Sequence, residues 1–186
     1  MKKLLKWFII LIPLFAVLTF AIVVSLIPNK EAKKEKIKLI EFTTKDDKVV
    51  FLADEKFKKD EKGEYDLYLN KNNLQILGVF TYDLNEYEEK SAKEVLDKQT
   101  NAFLSSRKNT ELFKKEQTIN TDDKTIIKVE YSGKTEKSSD CVYIFSVISF
   151  NNNPNYVLYI DEVIIKNKYE DNISEMIDIL KSARLK

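Results

Sequence analysis

The chain predicts an α+β fold: an antiparallel β-sheet flanked by two helices, preceded by one N-terminal transmembrane helix. Three observations carry this expectation. Runs of β-branched and aromatic residues separated by Asp- and Asn-rich turns recur over residues 37–82 and 112–166. Two other stretches, 91–103 and 167–185, repeat their apolar residues at the three- and four-residue spacing of a helix face. The resulting order is strands, helix, strands, helix, which layers helices on an antiparallel sheet.

The N-terminal element comes first. Met1-Lys2-Lys3 and Lys6 precede an uncharged run, Trp7-Phe8-Ile9-Ile10-Leu11-Ile12-Pro13-Leu14-Phe15-Ala16-Val17-Leu18-Thr19-Phe20-Ala21-Ile22-Val23-Val24-Ser25-Leu26-Ile27. At 1.5 Å rise per residue, such a run makes a helix roughly 30 Å long, the thickness of a bilayer's hydrocarbon core. It is apolar on all sides, which argues against a core helix. A cleaved signal peptide has a shorter apolar stretch and small residues at its cut, whereas this run ends in bulky residues before Pro28. Residues 1–28 therefore read as an uncleaved signal-anchor in the lipid bilayer, with Trp7 at the interface and Pro13 tolerated within the helix. Lys2, Lys3 and Lys6 favour a cytoplasmic N-terminus and an extracytoplasmic domain. Lys30, Lys33, Lys34, Lys36 and Lys38 crowd the opposite flank and favour the reverse orientation. The Lys/Glu-rich residues 29–36 read as a charged stalk, and residues 37–186 as a single α+β domain.

Within that domain, residues 37–42 and 48–52 form a hairpin around the turn Thr44-Lys45-Asp46-Asp47. Strands follow at 64–69 and 74–82. Ser91-Ala92-Lys93-Glu94 is a capping box, and Ala92, Val95, Leu96, Ala102 and Phe103 give the helix behind it one apolar side. Residues 112–119 and 125–131 are strands joined by Thr121-Asp122-Asp123-Lys124. Residues 140–149 and 156–166 are a long hairpin with its loop at 151–155. Apolar residues on both parities of these last two mark central strands covered on each face. In the final helix Asn167 stands at the cap, Ile173, Met176, Ile177 and Leu180 form the buried stripe, and Lys181 and Arg184 suit the last turn.

Composition excludes several functions. Lys2, Lys3, Lys6 and Lys30 supply four of the 31 basic residues, so residues 31–186 carry 27 basic against all 30 acidic side chains, a net charge of −3. Interspersed signs and a mildly acidic domain argue against nucleic acid as a partner. Histidine is absent and Cys141 is the single cysteine, which removes zinc, haem and iron–sulfur ligation and the commonest general base. Gly63, Gly78 and Gly133 are too scattered for a phosphate loop. No cofactor, metal site or catalytic residue is assigned.

The remaining candidates have structural readings. Asp46/Asp47, Asp54/Glu55 and Asp122/Asp123 are adjacent carboxylates in turns, not a facing pair across a cleft or a calcium loop. Ser91 is a helix cap, and Ser105 and Ser106 lack a glycine-framed elbow. Cys141, opening an apolar strand, is a buried small hydrophobe. Among nine tyrosines, Tyr65, Tyr68, Tyr82, Tyr87, Tyr143, Tyr156 and Tyr159 are the leading candidates for exposure, but in a sheet domain most tyrosines pack the core or its rim, and at most two or three are assigned to an interface. The segment Tyr82-Asp83-Leu84-Asn85-Glu86-Tyr87-Glu88-Glu89 combines aromatic and acidic residues, which makes Tyr82 and Tyr87 the expected partner-facing edge.

The layout resembles the PsbP-like family, extrinsic photosystem II subunits and their non-photosynthetic bacterial relatives. The likeness spans residues 37–186. It lies in the early hairpin, the helix Ser91-Ala92-Lys93-Glu94-Val95-Leu96-Asp97-Lys98-Gln99, the strand Asp123-Lys124-Thr125-Ile126-Ile127-Lys128-Val129-Glu130-Tyr131, and the long hairpin and helix that follow. The resemblance implies an α/β/α sandwich with a binding or assembly role and no catalytic machinery. The family's metal-binding histidines have no equivalent here. An anchor also stands where plant members have cleaved transit peptides, so metal and photosystem roles are not carried over. Together these readings give the expected function: a membrane-anchored, extracytoplasmic, non-catalytic binding or assembly module of the bacterial cell envelope, with an envelope protein as partner. The alternatives are an envelope enzyme using carboxylate or Ser/Lys chemistry, and a cytoplasm-facing immunity or regulatory protein.

Overall fold

Among the described residues the strands form two antiparallel sheets, one of three strands and one of seven. The computed structural model describes residues 37–61, 63–107 and 109–186. The expected anchor and stalk lie outside the described residues, among which no helix is long and apolar enough to cross a membrane.

Strands β1 (Leu39–Thr43) and β2 (Val49–Asp54) form the expected hairpin, Leu39 opposite Asp54 and Thr43 opposite Val50. Its turn uses Asp47 in the left-handed region (φ 59°), and the Thr44 hydroxyl donates to Asp46 Oδ1 at 2.7 Å. This hairpin leaves the main sheet and pairs instead with β10 (Arg184–Leu185). Within β2, Val49, Val50, Phe51 and Ala53 are all buried. Both parities of β2 are therefore covered.

The second sheet runs β3–β4–β5–β9–β8–β7–β6. These strands are β3 (Lys58–Lys59), β4 (Leu67–Lys71), β5 (Gln75–Asp83), β6 (Glu111–Asn120), β7 (Lys124–Lys134), β8 (Asp140–Phe150) and β9 (Asn153–Ile165). Central β8 and β9 bury both parities as expected. Val142, Ile144, Ile148, Leu158, Ile160 and Ile164 point to one face, where Met176, Ile179 and Leu180 of α2 (Tyr169–Ser182) and the β1–β2 hairpin cover them. Cys141, Tyr143, Phe145, Val147, Val157 and Tyr159 point to the other, covered by Val95 and Leu96 of α1 (Ala92–Ser106). The helices thus lie on opposite faces of the large sheet. The expected loop at 151–155 is shorter: Asn151 and Asn152 make the turn, and β9 begins at Asn153 with a register shift beside Phe150.

The α1 cap forms with one change. The Ser91 hydroxyl accepts from the Glu94 amide at 3.2 Å, while the Glu94 carboxylate accepts from the Lys90 amide at 2.9 Å, not from Ser91 itself. The expected Asn167 cap is displaced. A 3₁₀ turn over Lys166–Lys168 carries β9 into α2, Lys168 becomes the cap, and it offers no side-chain bond. Arg184 is likewise not in the last helical turn, because α2 ends at Ser182 and Arg184 enters β10 to pair with Glu41.

Candidate functional site

A groove of about 340 Å³ opens on the α1 side of the large sheet. Its floor is β5, through Phe80, Thr81 and Tyr82; one wall is α1, through Lys98 and Gln99. The rim comes from Tyr87 and Glu89 after β5 and from Glu64 and Asp66 before β4. The two residues singled out as a partner-facing edge therefore meet. Tyr82 and Tyr87 stand edge to face with centroids 5.0 Å apart, and Tyr87 is 44% exposed.

Asp66 is fixed by Thr81, whose amide and hydroxyl both donate to Oδ2, at 2.7 and 2.9 Å. Glu89 is nearly buried and pairs with Lys98. Beneath the rim Tyr65 packs on Phe80 (centroids 4.6 Å) and donates its hydroxyl to Asp161 Oδ2 at 3.2 Å. Gly78 makes that contact feasible, since a Cβ there would fall 2.2 Å from Tyr65 Cε1 and 2.3 Å from Asp161 Oδ1. Burial, with Tyr87 and the nearby Glu89, Asp66 and Asp161 carboxylates, pushes the Tyr82 hydroxyl up to about 12. Burial also pushes Asp161 up to about 6, against the stabilising Tyr65 hydroxyl.

A larger cleft, about 490 Å³, lies between α2 and the β1–β2 hairpin. Ile37, Leu39, Leu52 and Ile179 give it apolar walls. At one end Lys71 Nζ reaches Asp54 Oδ2 at 3.0 Å and Glu175 Oε1 at 2.8 Å, and Gln75 donates to Glu175 Oε2 at 3.1 Å. Asp54 thus departs from the expected exposed turn. It is 4% exposed because it ends a buried strand, and its pairing with Lys71 compensates its burial.

A third polar group sits in the core between the large sheet and α2. Tyr169 donates to Glu130 Oε2 at 2.6 Å, Lys114 donates to the Tyr169 hydroxyl at 2.7 Å, and Lys128 pairs with Glu130. Glu130 and Glu162 stand in one row across β7, β8 and β9, with Ile144 between them. Both Glu162 oxygens and Ser146 Oγ have no hydrogen-bond partner among the described residues, and burial pushes Glu162 up to about 8.

Most sequence-level candidates take structural roles. Cys141 is fully buried, and burial pushes its thiol up. Ser105 and Ser106 donate to the Ala102 and Phe103 carbonyls within α1. Asp123 accepts from Thr121 Oγ1 at 2.7 Å and pairs with Lys124 in its turn. Of the seven tyrosines named as candidates for exposure, Tyr68, Tyr143, Tyr156 and Tyr159 are buried, since the strands that carry them are covered; the broader expectation, that most tyrosines pack the core or its rim, agrees with this. Tyr143 donates to the Lys134 carbonyl at 2.6 Å, and Tyr156 donates to Asp46. Asp161, Glu162, Lys128 and Glu130 were not singled out. Their signal was present as charges set inside otherwise apolar strands. Among the described residues no group of three acidic or cysteine side chains could hold a metal ion.

No protein-family model matches the sequence, and no curated protein matches it. Solved structures do. A cyanobacterial PsbP from Synechocystis sp. PCC 6803 is 13% identical with a TM-score of 0.60, covering 83% of this chain and 96% of its own. The Ran-binding protein Mog1p of Saccharomyces cerevisiae is 8% identical with a TM-score of 0.54, covering 81% and 96%. The chain has a PsbP-like fold, as its sequence resemblance implied. At these identities the likeness is one of fold.

Proposed function

We propose that this chain is a non-catalytic binding or assembly module of the bacterial cell envelope, held to the membrane by residues 7–27 with its domain outside, and that the Tyr82–Tyr87 groove is where it meets a protein partner. The observation that carries the reading is the groove itself. Tyr82 and Tyr87, picked out in the sequence as an aromatic and acidic edge, converge on one concavity with Tyr87 well exposed. Tyrosine suits this use because its ring is apolar and its hydroxyl polar. Ser91, Ser105, Ser106, Cys141 and Asp123 are meanwhile committed to a cap, a helix, the core and a turn.

An enzymatic reading draws on Asp161, whose carboxyl is pushed up to about 6. It is the weaker reading, because Asp161 is not among the residues lining either cleft and its oxygen takes the Tyr65 hydroxyl. A photocrosslinking residue at position 87 of the full-length chain, expressed in its host, tests the docking reading. The expected result is one discrete adduct from position 87 and none from position 112, which is also exposed but lies on the distant edge strand β6. Equal adducts from both positions, or none from 87, would overturn it.

A further inference from the structure

We infer that the Tyr82–Tyr87 groove receives a basic side chain, lysine or arginine, presented by the partner polypeptide; this rests on the docking reading above and gives that partner its chemistry.

Charge is the first argument. Among the described residues, three carboxylates line the groove, Glu64, Asp66 and Glu89, against one ammonium, Lys98. That ammonium is committed to Glu89, and the Lys90 ammonium at the rim donates to the Tyr87 carbonyl at 2.9 Å, so Glu64 and Asp66 have no opposing cation among the described lining residues. Complementarity then asks for a cation.

Ring geometry is the second. Tyr82 and Tyr87 meet at an interplanar angle of 61°, the edge of one ring against the face of the other, and both rings line the groove. An aromatic face carries negative quadrupole potential and attracts a cation within about 6 Å of its centroid. The floor adds Phe80 beside Tyr65, so the aliphatic stem of a long basic side chain has apolar surface to lie along.

Hydrogen bonding separates a basic side chain from a quaternary ammonium. Both Thr81 bonds go to Asp66 Oδ2, and no donor among the described residues reaches Oδ1. An ammonium or guanidinium brings N–H groups that can satisfy this oxygen, whereas a quaternary ammonium brings none. Size agrees. About 340 Å³ lies at the small end of ligand pockets and suits one extended side chain better than a helix face.

The test uses the full-length chain solubilised in detergent. Three otherwise identical Gly/Ser peptides, carrying one central lysine, arginine or norleucine, are titrated against it by saturation-transfer NMR, which reads weak binding. The lysine and arginine peptides should bind at least tenfold tighter than the norleucine peptide, with the margin shrinking as salt rises. Glu64→Gln and Tyr87→Leu should each weaken lysine-peptide binding several-fold. Glu64 and Tyr87 are exposed, so neither change empties the core. Asp171→Asn and Asp178→Asn, at the other cleft, should leave it unchanged. Equal binding of the norleucine peptide would overturn the inference, and so would equal weakening by the distant Asp variants, which would mean diffuse charge attraction. A partner crosslinked at position 87 through a segment without lysine or arginine would also overturn it while leaving the docking reading intact.

Discussion

Glu162 illustrates how one side chain can set the pH behaviour of a whole domain. Its carboxyl is buried, has no partner for either oxygen among the described residues, and is pushed up to about 8 from an ordinary 4.5. Glu130 and Asp161 raise it further, while Lys128 opposes them. A raised folded-state value means stability is fully present below about 4.5 and is lost as pH rises toward 8. Asp161, raised to about 6, acts in the same direction over the lower part of that window. Asp46, Asp54 and Asp123 are held below their ordinary value, so they act oppositely and lose stability only as pH falls below about 4. Glu162→Gln keeps the shape and removes the ionisation. It should raise the midpoint of urea unfolding at pH 8, by an energy on the order of a few kcal/mol, and leave it little changed near pH 5. A variant that loses the same stability between pH 5 and 8 as the parent would refute this assignment.

Helix α1 shows what a short sequence motif can specify. Ser91 and Glu94 satisfy two otherwise orphaned amides, those of Glu94 and Lys90, at the entrance of the helix. Ser91→Ala should lower stability by about 1 kcal/mol, seen as a reduced urea midpoint with an unchanged slope. This helix was legible because cap and apolar stripe reinforce each other within a dozen residues. So were β8 and β9, whose apolar residues on both parities announce two covered faces. The entrance of α2 was not legible, because the choice between Asn167 and Lys168 as cap depends on where β9 lets go of the sheet. β3 and β10, two residues each, carry no periodicity to read. The groove was half legible. Tyr82 and Tyr87 share one segment, but Glu64, Asp66 and Lys98 join them only through strand pairing and helix packing.

At the scale of the molecule, the large sheet is a partition with a different cover on each face. One face carries a single helix and the proposed docking groove, and the other carries α2 and the small sheet. The compartment of that groove decides which partners it can meet. Protease added to intact cells should degrade residues 37–186 while sparing the same domain when the enzyme is omitted. Full protection, with cleavage only after lysis, would point to the cytoplasm-facing alternative.

The small sheet has a consequence for biosynthesis. β2 stays half-paired until Arg184 and Leu185 arrive, and Arg184 reaches Glu41 across 143 positions of chain. Lys186 then adds its amide to the Lys48 carbonyl at 2.9 Å and its ammonium to Asp47. A nascent polypeptide that stalls on the ribosome before Arg184 therefore leaves a sticky apolar edge uncapped, which is a ready template for self-association.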